Sequence, residues 1–184
     1  FEAELRELRS HLLAMGARCE RAIGIAVSAF LDRDLGRHAE VEELDDRINR
    51  DEMEIDELAL HMLALRQPVA DDLRFITTTL KCVTDLERIG DEAVNVCERI
   101  AEIALAPALP LIPELATMSD AARSMLREAL DAFVERDAER AEAVLRRDED
   151  VDALYGHALR QIFAWMREHP DEIPAGQAVA SAAK

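Results

Sequence analysis

Apolar residues recur along the chain at steps of three and four. Leu5, Leu8, Leu12, Met15, Cys19, Ala22 and Ala26 form one series that ends near Phe30. After Asp32-Arg33-Asp34-Leu35-Gly36 a second runs through Val41, Leu44, Ile48, Ile55, Leu58, Met62 and Leu65. After Arg66-Gln67-Pro68 a third takes in Leu73, Ile76, Leu80 and Val83, then Gly90, Val94, Cys97 and Ala101. A three-four alternation places such residues on one face of a helix. Prolines stand only at Pro68, at Pro107, Pro110 and Pro113, and at Pro170 and Pro174. A proline costs about 3 kcal/mol inside a helix, so the stretches between these sites are free to be helical. Three long helices with short connections predict an antiparallel three-helix bundle.

Beyond the proline cluster the pattern repeats. Ala29-Phe30-Leu31-Asp32-Arg33-Asp34 matches Ala132-Phe133-Val134-Glu135-Arg136-Asp137 at an offset of 103 residues. The same offset carries Leu12 to Leu115, Met15 to Met118, Asp45 to Asp148, Ile48 to Val151 and Lys81 to Lys184. Several matches at one offset indicate an internal duplication. The expected architecture is all-α, a tandem repeat of two antiparallel three-helix bundles. The first unit is residues 1–105, a proline-rich linker spans 106–113, and the second unit is 114–184. Because Lys184 is the counterpart of Lys81, the last helix is expected to be incomplete and the chain a fragment of a longer one. Leu126, Leu130, Val144, Val151, Leu154 and Ile162 should then be partly uncovered and seek another chain, which leaves room for a homodimer. Tyr155, Phe163 and Trp165 are expected in the core.

Charge narrows the function classes. The 22 Lys+Arg against 39 Asp+Glu leave a net charge of −17, which argues against a general nucleic-acid or anionic-membrane binder. With 49% hydrophobic residues the chain can bury a core, and only 4% aromatics with six Gly disfavours an all-β fold. Cys19, Cys82 and Cys97 form no CxxC pair, so neither a disulfide framework nor a thiolate zinc site is expected. No apolar run is long enough to span a membrane, and Phe1 opens no signal-peptide pattern. The expected location is the cytoplasm, with the membrane reached only through partners.

Two interruptions of the apolar stripes carry the chemistry. On the third-helix seam position 87 is a glutamate, followed by Gly90 and Asp91. A buried unpaired carboxylate costs several kcal/mol, and a mid-helix glycine about 1 kcal/mol. Gly90 therefore implies that something approaches the backbone closely. On the second helix the stripe jumps from Ile48 to Ile55 across Asp51 and Glu52. Asp45, Asn49, Glu52 and Asp56 share one face of that helix, and Glu87, Asp91, Asn95 and Glu98 share one face of the next. Two facing rows of oxygen ligands suit hard cations: Mg²⁺, Ca²⁺, Mn²⁺ or oxidised iron. The candidate metal ligands are Asp45, Asn49, Glu52, Asp56, Glu87, Asp91 and Asn95. For most of the ten acids between positions 40 and 57, a solvated helix face is explanation enough. Glu87 also has Lys81 and Arg88 within reach as neutralising partners.

Asp85-Leu86-Glu87-Arg88-Ile89-Gly90-Asp91 resembles the signature of the PhoU phosphate-signalling proteins. In that family repeated E(D)xxxD motifs carry metal clusters on tandem three-helix bundles; Glu87 and Asp91 would supply the E and D of the first motif. Arg66-Gln67-Pro68 with Asp72-Leu73-Arg74 is similar to the family's turn into the third helix. Asp45, Ile48, Asn49, Glu52, Ile55, Asp56 and Glu57 are similar to its second-helix pattern. At the repeat offset the second motif would fall beyond Lys184. The resemblance implies a negative regulator of phosphate uptake and of the phosphate-starvation response, not an enzyme. Its implied partners are a phosphate ABC transporter ATPase and a sensor histidine kinase, and its implied cofactors are iron, Mn, Mg or Ca ions.

The rival classes fare worse on the residues. A carboxylate-bridged di-metal oxidase needs Glu-x-x-His, and none of the five histidines has a glutamate three residues before it. HExxH, GxSxG and Gly-rich phosphate loops are absent. The cysteines at apolar seam positions read as inert core. A helical adaptor that needs no metal is the serious competitor.

Overall fold

The computed structural model describes residues 1–106, 109–110 and 112–184. Six helices follow one another: α1 Glu2–Asp32, α2 His38–Arg66, α3 Ala70–Ile103, α4 Glu114–Glu135, α5 Ala138–Glu168 and α6 Ile173–Ala182. Single 3-10 turns at Leu35–Arg37 and Pro170–Glu172 lead into α2 and α6. There is no strand among the described residues. Of the expected linker 106–113, Pro107, Ala108 and Leu111 lie outside the described residues. No helix among the described residues is long and apolar enough to cross a membrane.

α1, α2 and α3 pack against one another around a core of Leu8, Leu12, Met15, Ile48, Ile55 and Ile76, all fully buried. Each such side chain contributes about 1.5–3 kcal/mol through burial. Cys19 and Cys97 are buried in this core, as their seam positions suggest. Burial first, and then the nearby Asp51 carboxylate, push the Cys19 thiol up to about 12, so it stays a thiol.

The buried face of α3 differs by one residue from the expected seam. It runs through Ile76, Thr79, Val83, Leu86, Gly90, Ala93, Cys97 and Ile100. Thr79 can occupy it because its hydroxyl donates to the Phe75 carbonyl at 2.9 Å, which satisfies the only polar group it would bury. Leu73 is left 40% exposed. Leu86 holds the core position, and Glu87 sits half-buried at the edge of the α2–α3 contact rather than within the seam.

In the second unit α4 pairs with α5, while α4 also lies along α1 and α6 packs on α3 and α5. Leu130 of α4 rests on Gly16 of α1, where a Cβ would come within 2.1 Å of Leu130 Cδ1. Phe75 stacks on Phe133 with ring centres 5.0 Å apart. These contacts bury Leu130, and Val144 and Ile162 are buried as well, so three of the six apolar residues expected to be uncovered are not. Leu126, Val151 and Leu154 are half-buried. Val151, Met118 and Ala122 face Ile23, Val27 and Ile89 across an apolar groove of about 500 Å³. Among the aromatics of α5, Phe163 is 58% exposed, contrary to expectation. Trp165 is half-buried and stacks on His169.

Candidate functional site

The interruption of the α2 stripe resolves into two separate roles. Asp51 takes the core-facing position and is almost fully buried. Arg18 of α1 reaches its Oδ2 at 2.5 Å, and Arg47 its Oδ1 at 3.0 Å. Both oxygens are thus held by guanidinium groups, and this buried acid joins α1 to α2. Glu52, the next residue, turns the other way and is half-buried towards α3.

Asp45 stands at the centre of the α2–α3 face. Asn49, one turn on, donates through Nδ2 to Asp45 Oδ2 at 3.2 Å. Asp45 Oδ1 is buried and has no hydrogen-bond partner among the described residues. It lies over Gly90: a Cβ there would be 2.7 Å from Oδ1 and 3.2 Å from Ile48 Cδ1. Gly90 is therefore what lets α2 close on α3, as a glycine at mid-helix implies. Leaving a buried carboxylate oxygen unpaired costs on the order of 1–3 kcal/mol.

The surrounding acids act on one another. Burial raises the Asp45 carboxyl above its ordinary range, and the Asp91 charge adds to the rise. Glu52 is raised by burial and then by Glu87, Asp56 and Asp91. Glu87 is raised by burial and then by Asp91 and Asp45, with Arg88 pulling the other way. The expected ligands Asp45, Glu52, Asp56, Glu87 and Asp91 thus come together across the two helices. None of the five is ion-paired among the described residues: Arg18 and Arg47 reach Asp51, and Arg88 contacts Asp85 on its own helix. Asn95 is placed differently. It is exposed, and its Nδ2 donates to Glu92 at 3.2 Å on its own helix.

As the side chains stand, the carboxylates line two facing helix edges without closing on one point. No group of three or more His, Cys, Asp or Glu among the described residues is arranged to hold a metal ion. Even so, the donor set suits a hard cation in its chemistry: its donors are oxygens, and Asp45 Oδ1 has no hydrogen-bond partner among the described residues.

Comparison with known proteins places the chain. A family model described as the PhoU domain matches it twice, over residues 12–100 and 115–183. The phosphate-specific transport system accessory protein PhoU homolog of Pseudomonas putida is 43% identical over 174 residues, which cover 94% of this chain and 68% of that protein. The accessory protein PhoU of Escherichia coli K12 is 34% identical over 95% of this chain and 73% of its own length. The crystal structure of PhoU from Pseudomonas aeruginosa superimposes with a TM-score of 0.93 at 42% identity, covering the whole chain and 88% of that structure. The phosphate transport system regulatory protein PhoU of Streptococcus pneumoniae gives a TM-score of 0.88 at 26% identity, covering the whole chain and 86% of that structure. Two matches to the family model over most of the chain, on a shared helical fold, establish that the chain belongs to the PhoU family.

Proposed function

We propose that this protein is a cytoplasmic accessory regulator that restrains phosphate uptake and the phosphate-starvation response, working by docking and not by catalysis. Its relatives are named as accessory proteins of phosphate-specific transport, so the partner for which the case is strongest is the ATPase of a phosphate ABC transporter. A sensor histidine kinase would be the second partner, through which transport state reaches gene expression. The acidity of the α2–α3 face suits basic protein surfaces on both.

Asp45, Asn49, Glu52, Asp56, Glu87 and Asp91 would hold one or more hard cations, iron, Mn, Mg or Ca, with water completing the shell. Such a cation would neutralise the facing carboxylates and stiffen the α2–α3 pair. Asp45 supplies an inward-facing oxygen, Asn49 orients it, and Gly90 keeps the two backbones close. The observation that carries this reading is the buried, unpartnered Asp45 Oδ1 over Gly90. A metal-free adaptor is the alternative, favoured by the lack of three converging ligands among the described residues.

One experiment addresses both. Cells lacking their own PhoU receive this chain or its Asp45→Asn, Glu87→Gln, Asp91→Asn variant, and phosphate uptake and the metal content of the purified chains are measured. The expected result is metal in the wild type alone and uptake restrained by the wild type alone. A variant that restrains uptake as well as the wild type while carrying no metal establishes the metal-free adaptor.

A further inference from the structure

A second polar site lies on the opposite side of α1, between α1 and α4, and its sign is reversed. In a chain of net charge −17, four arginines line one open cavity of about 550 Å³: Arg21, Arg37, Arg123 and Arg127. Two acids occupy part of this charge. Glu20 pairs with Arg127, and Glu40 takes Arg21 at 2.9 Å and Arg37 at 3.2 Å. Among the described residues Arg123 is left with a long contact of 3.4 Å to Asp120, an i,i+3 neighbour on its own helix. Its Nε is buried and has no hydrogen-bond partner among the described residues.

Gly24 seats this arginine. A Cβ at Gly24 would stand 3.0 Å from Arg123 Cζ and 3.2 Å from both Nε and Nη1, so the guanidinium lies against the bare backbone of α1. A mid-helix glycine is unfavourable for α1 itself, and here it makes room for a guanidinium that is about a third exposed to the cavity and only weakly engaged by Asp120. Ser28 lines the same cavity and can contribute a hydroxyl. No aromatic residue is among the lining, so nothing there would stack on a base or ring.

We propose that the α1–α4 cavity binds a phosphate group, with Arg123 as its principal donor and Arg21, Arg37 and Ser28 around it. Guanidinium forks arriving from α1, from the turn before α2 and from α4 suit a tetrahedral oxyanion, whose oxygens point in several directions. A planar carboxylate is satisfied by one or two forks. The overall negative charge does not forbid this, because charges beyond about 8 Å are largely screened at physiological ionic strength. The site is independent of the acidic α2–α3 face and holds whether or not that face takes metal.

The test is calorimetric titration of the full chain with inorganic phosphate and, in parallel, tripolyphosphate. Ionic strength is held constant and EDTA is present, so that no cation on α2–α3 can bridge the anion. The expected result is one saturable site, weakened about tenfold or more in Arg123→Gln, which loses a forked donor. Gly24→Ala gives a second readout: it displaces the guanidinium and weakens binding while raising helix propensity, so the melting temperature does not fall. Tighter binding of orthophosphate than of tripolyphosphate identifies free phosphate as the occupant; the reverse identifies a phosphate chain. Absence of saturable binding of either anion, or unchanged affinity in Arg123→Gln, overturns the proposal. Binding that appears only when Mg²⁺ replaces EDTA, and is lost in the Asp45→Asn, Glu87→Gln, Asp91→Asn variant, would also overturn it, by moving the anion to the other face.

Discussion

At the end of α1, Arg33 adopts the left-handed conformation at φ 54°, and the amides of Asp34 and Arg33 donate back to the carbonyls of Ala29 and Phe30 at 2.8 and 3.2 Å. At the end of α4, Arg136 does the same at φ 62°, with Asp137 and Arg136 donating to Ala132 and Phe133 at 2.8 and 3.3 Å. The two repeats therefore share a helix-terminating motif residue for residue. One helix later they diverge. At the repeat offset, Asp45, Asn49, Glu52 and Asp56 correspond to Asp148, Asp152, Tyr155 and Leu159, and the buried Asp51 corresponds to Leu154. The duplication has kept the backbone devices, while on the second helix the side chains have changed: two of the four row positions carry Tyr155 and Leu159, and the buried acid is replaced by Leu154. Packing differs in the same sense: α1–α3 enclose a continuous apolar core, whereas α4 and α5 lean on α1 and α6 for what they bury.

The sharpest way to break this contrast is to truncate matched positions. Ile48 is fully buried and its counterpart Val151 is half-buried along the apolar groove. Ile48→Ala should cost about 3–4 kcal/mol, for lost burial and the cavity left behind. Val151→Ala should cost about 1 kcal/mol or less, because fewer methyl contacts are lost. Urea denaturation of the two variants measures the difference. Equal costs would mean that the second repeat has a core as well closed as the first.

Asp51 offers an exchange between the repeats. Asp51→Ala leaves Arg18 and Arg47 without their carboxylate, but both arginines retain about a third of their exposure and can turn to water. The expected loss is about 1–2 kcal/mol, below the 3–5 kcal/mol typical of a fully buried pair. Asp51→Leu installs the residue that the second repeat carries and should fall within about 1 kcal/mol of the wild type, since a packed hydrophobe can replace a buried pair. A leucine variant less stable than the alanine one would show that the ion pair positions α1 against α2 in a way that packing cannot.

Proton linkage separates the α2–α3 acids from the paired acids elsewhere. Asp45, Glu52 and Glu87 are raised in the folded chain, first by burial and then by neighbouring acids. The native state then binds more protons than the unfolded state, so the stability these three contribute is present at low pH and falls as pH rises through their raised values. Four other acids have the opposite sign. Glu4 is held down by Arg66, Glu40 by Arg21 and then Arg37, Glu114 by its own backbone amide and Glu128 by Ser124. Their contribution is lost as pH falls. Comparing the wild type with Asp45→Asn, Glu87→Gln isolates the first group. In chelator, the variant's advantage in melting temperature should grow between about pH 4 and pH 7, as the wild-type carboxyls ionise. A difference that does not change with pH would mean that the facing carboxylates are too well solvated to repel one another.

The long helical stretches, the duplication and the role of Gly90 are legible because each is a local signal: proline spacing, a repeated hexapeptide, and a glycine where helices avoid one. The position of Glu87 is not. Two apolar tracks one residue apart run along α3, and choosing between them requires knowing that Thr79 can bury itself by bonding to Phe75. Nor could spacing reveal that Asp51 belongs to Arg18, which is 33 residues away. The arginine cavity was obscured for a different reason. Its members are spread over α1, the following turn and α4, and an excess of acids elsewhere dominates any count. Gly24 was its one local mark, a helical glycine facing a cationic side chain that only the packing of α4 on α1 brings near.

The smallest expected effect tests whether the shared helix-ending motif is equally taxed in both repeats. A non-glycine residue in the left-handed conformation costs about 1 kcal/mol relative to glycine. Arg136 offsets this with exposed ion pairs to Asp71 and Asp72 at 3.7 and 3.4 Å, which are worth only a few tenths of a kcal/mol at such a surface. Arg33 offsets it with a partly buried donation to the Ala106 carbonyl at 2.7 Å, worth about 1 kcal/mol and leaving an unpaired acceptor when removed. Arg136→Gly should therefore stabilise the chain by about 0.5 kcal/mol, whereas Arg33→Gly should be neutral or slightly destabilising. Denaturant midpoints for the two single variants and the double variant decide the matter. If Arg33→Gly gains as much as Arg136→Gly, the contact to Ala106 does not tie down the end of the first repeat, and the two turns are energetic as well as geometric copies.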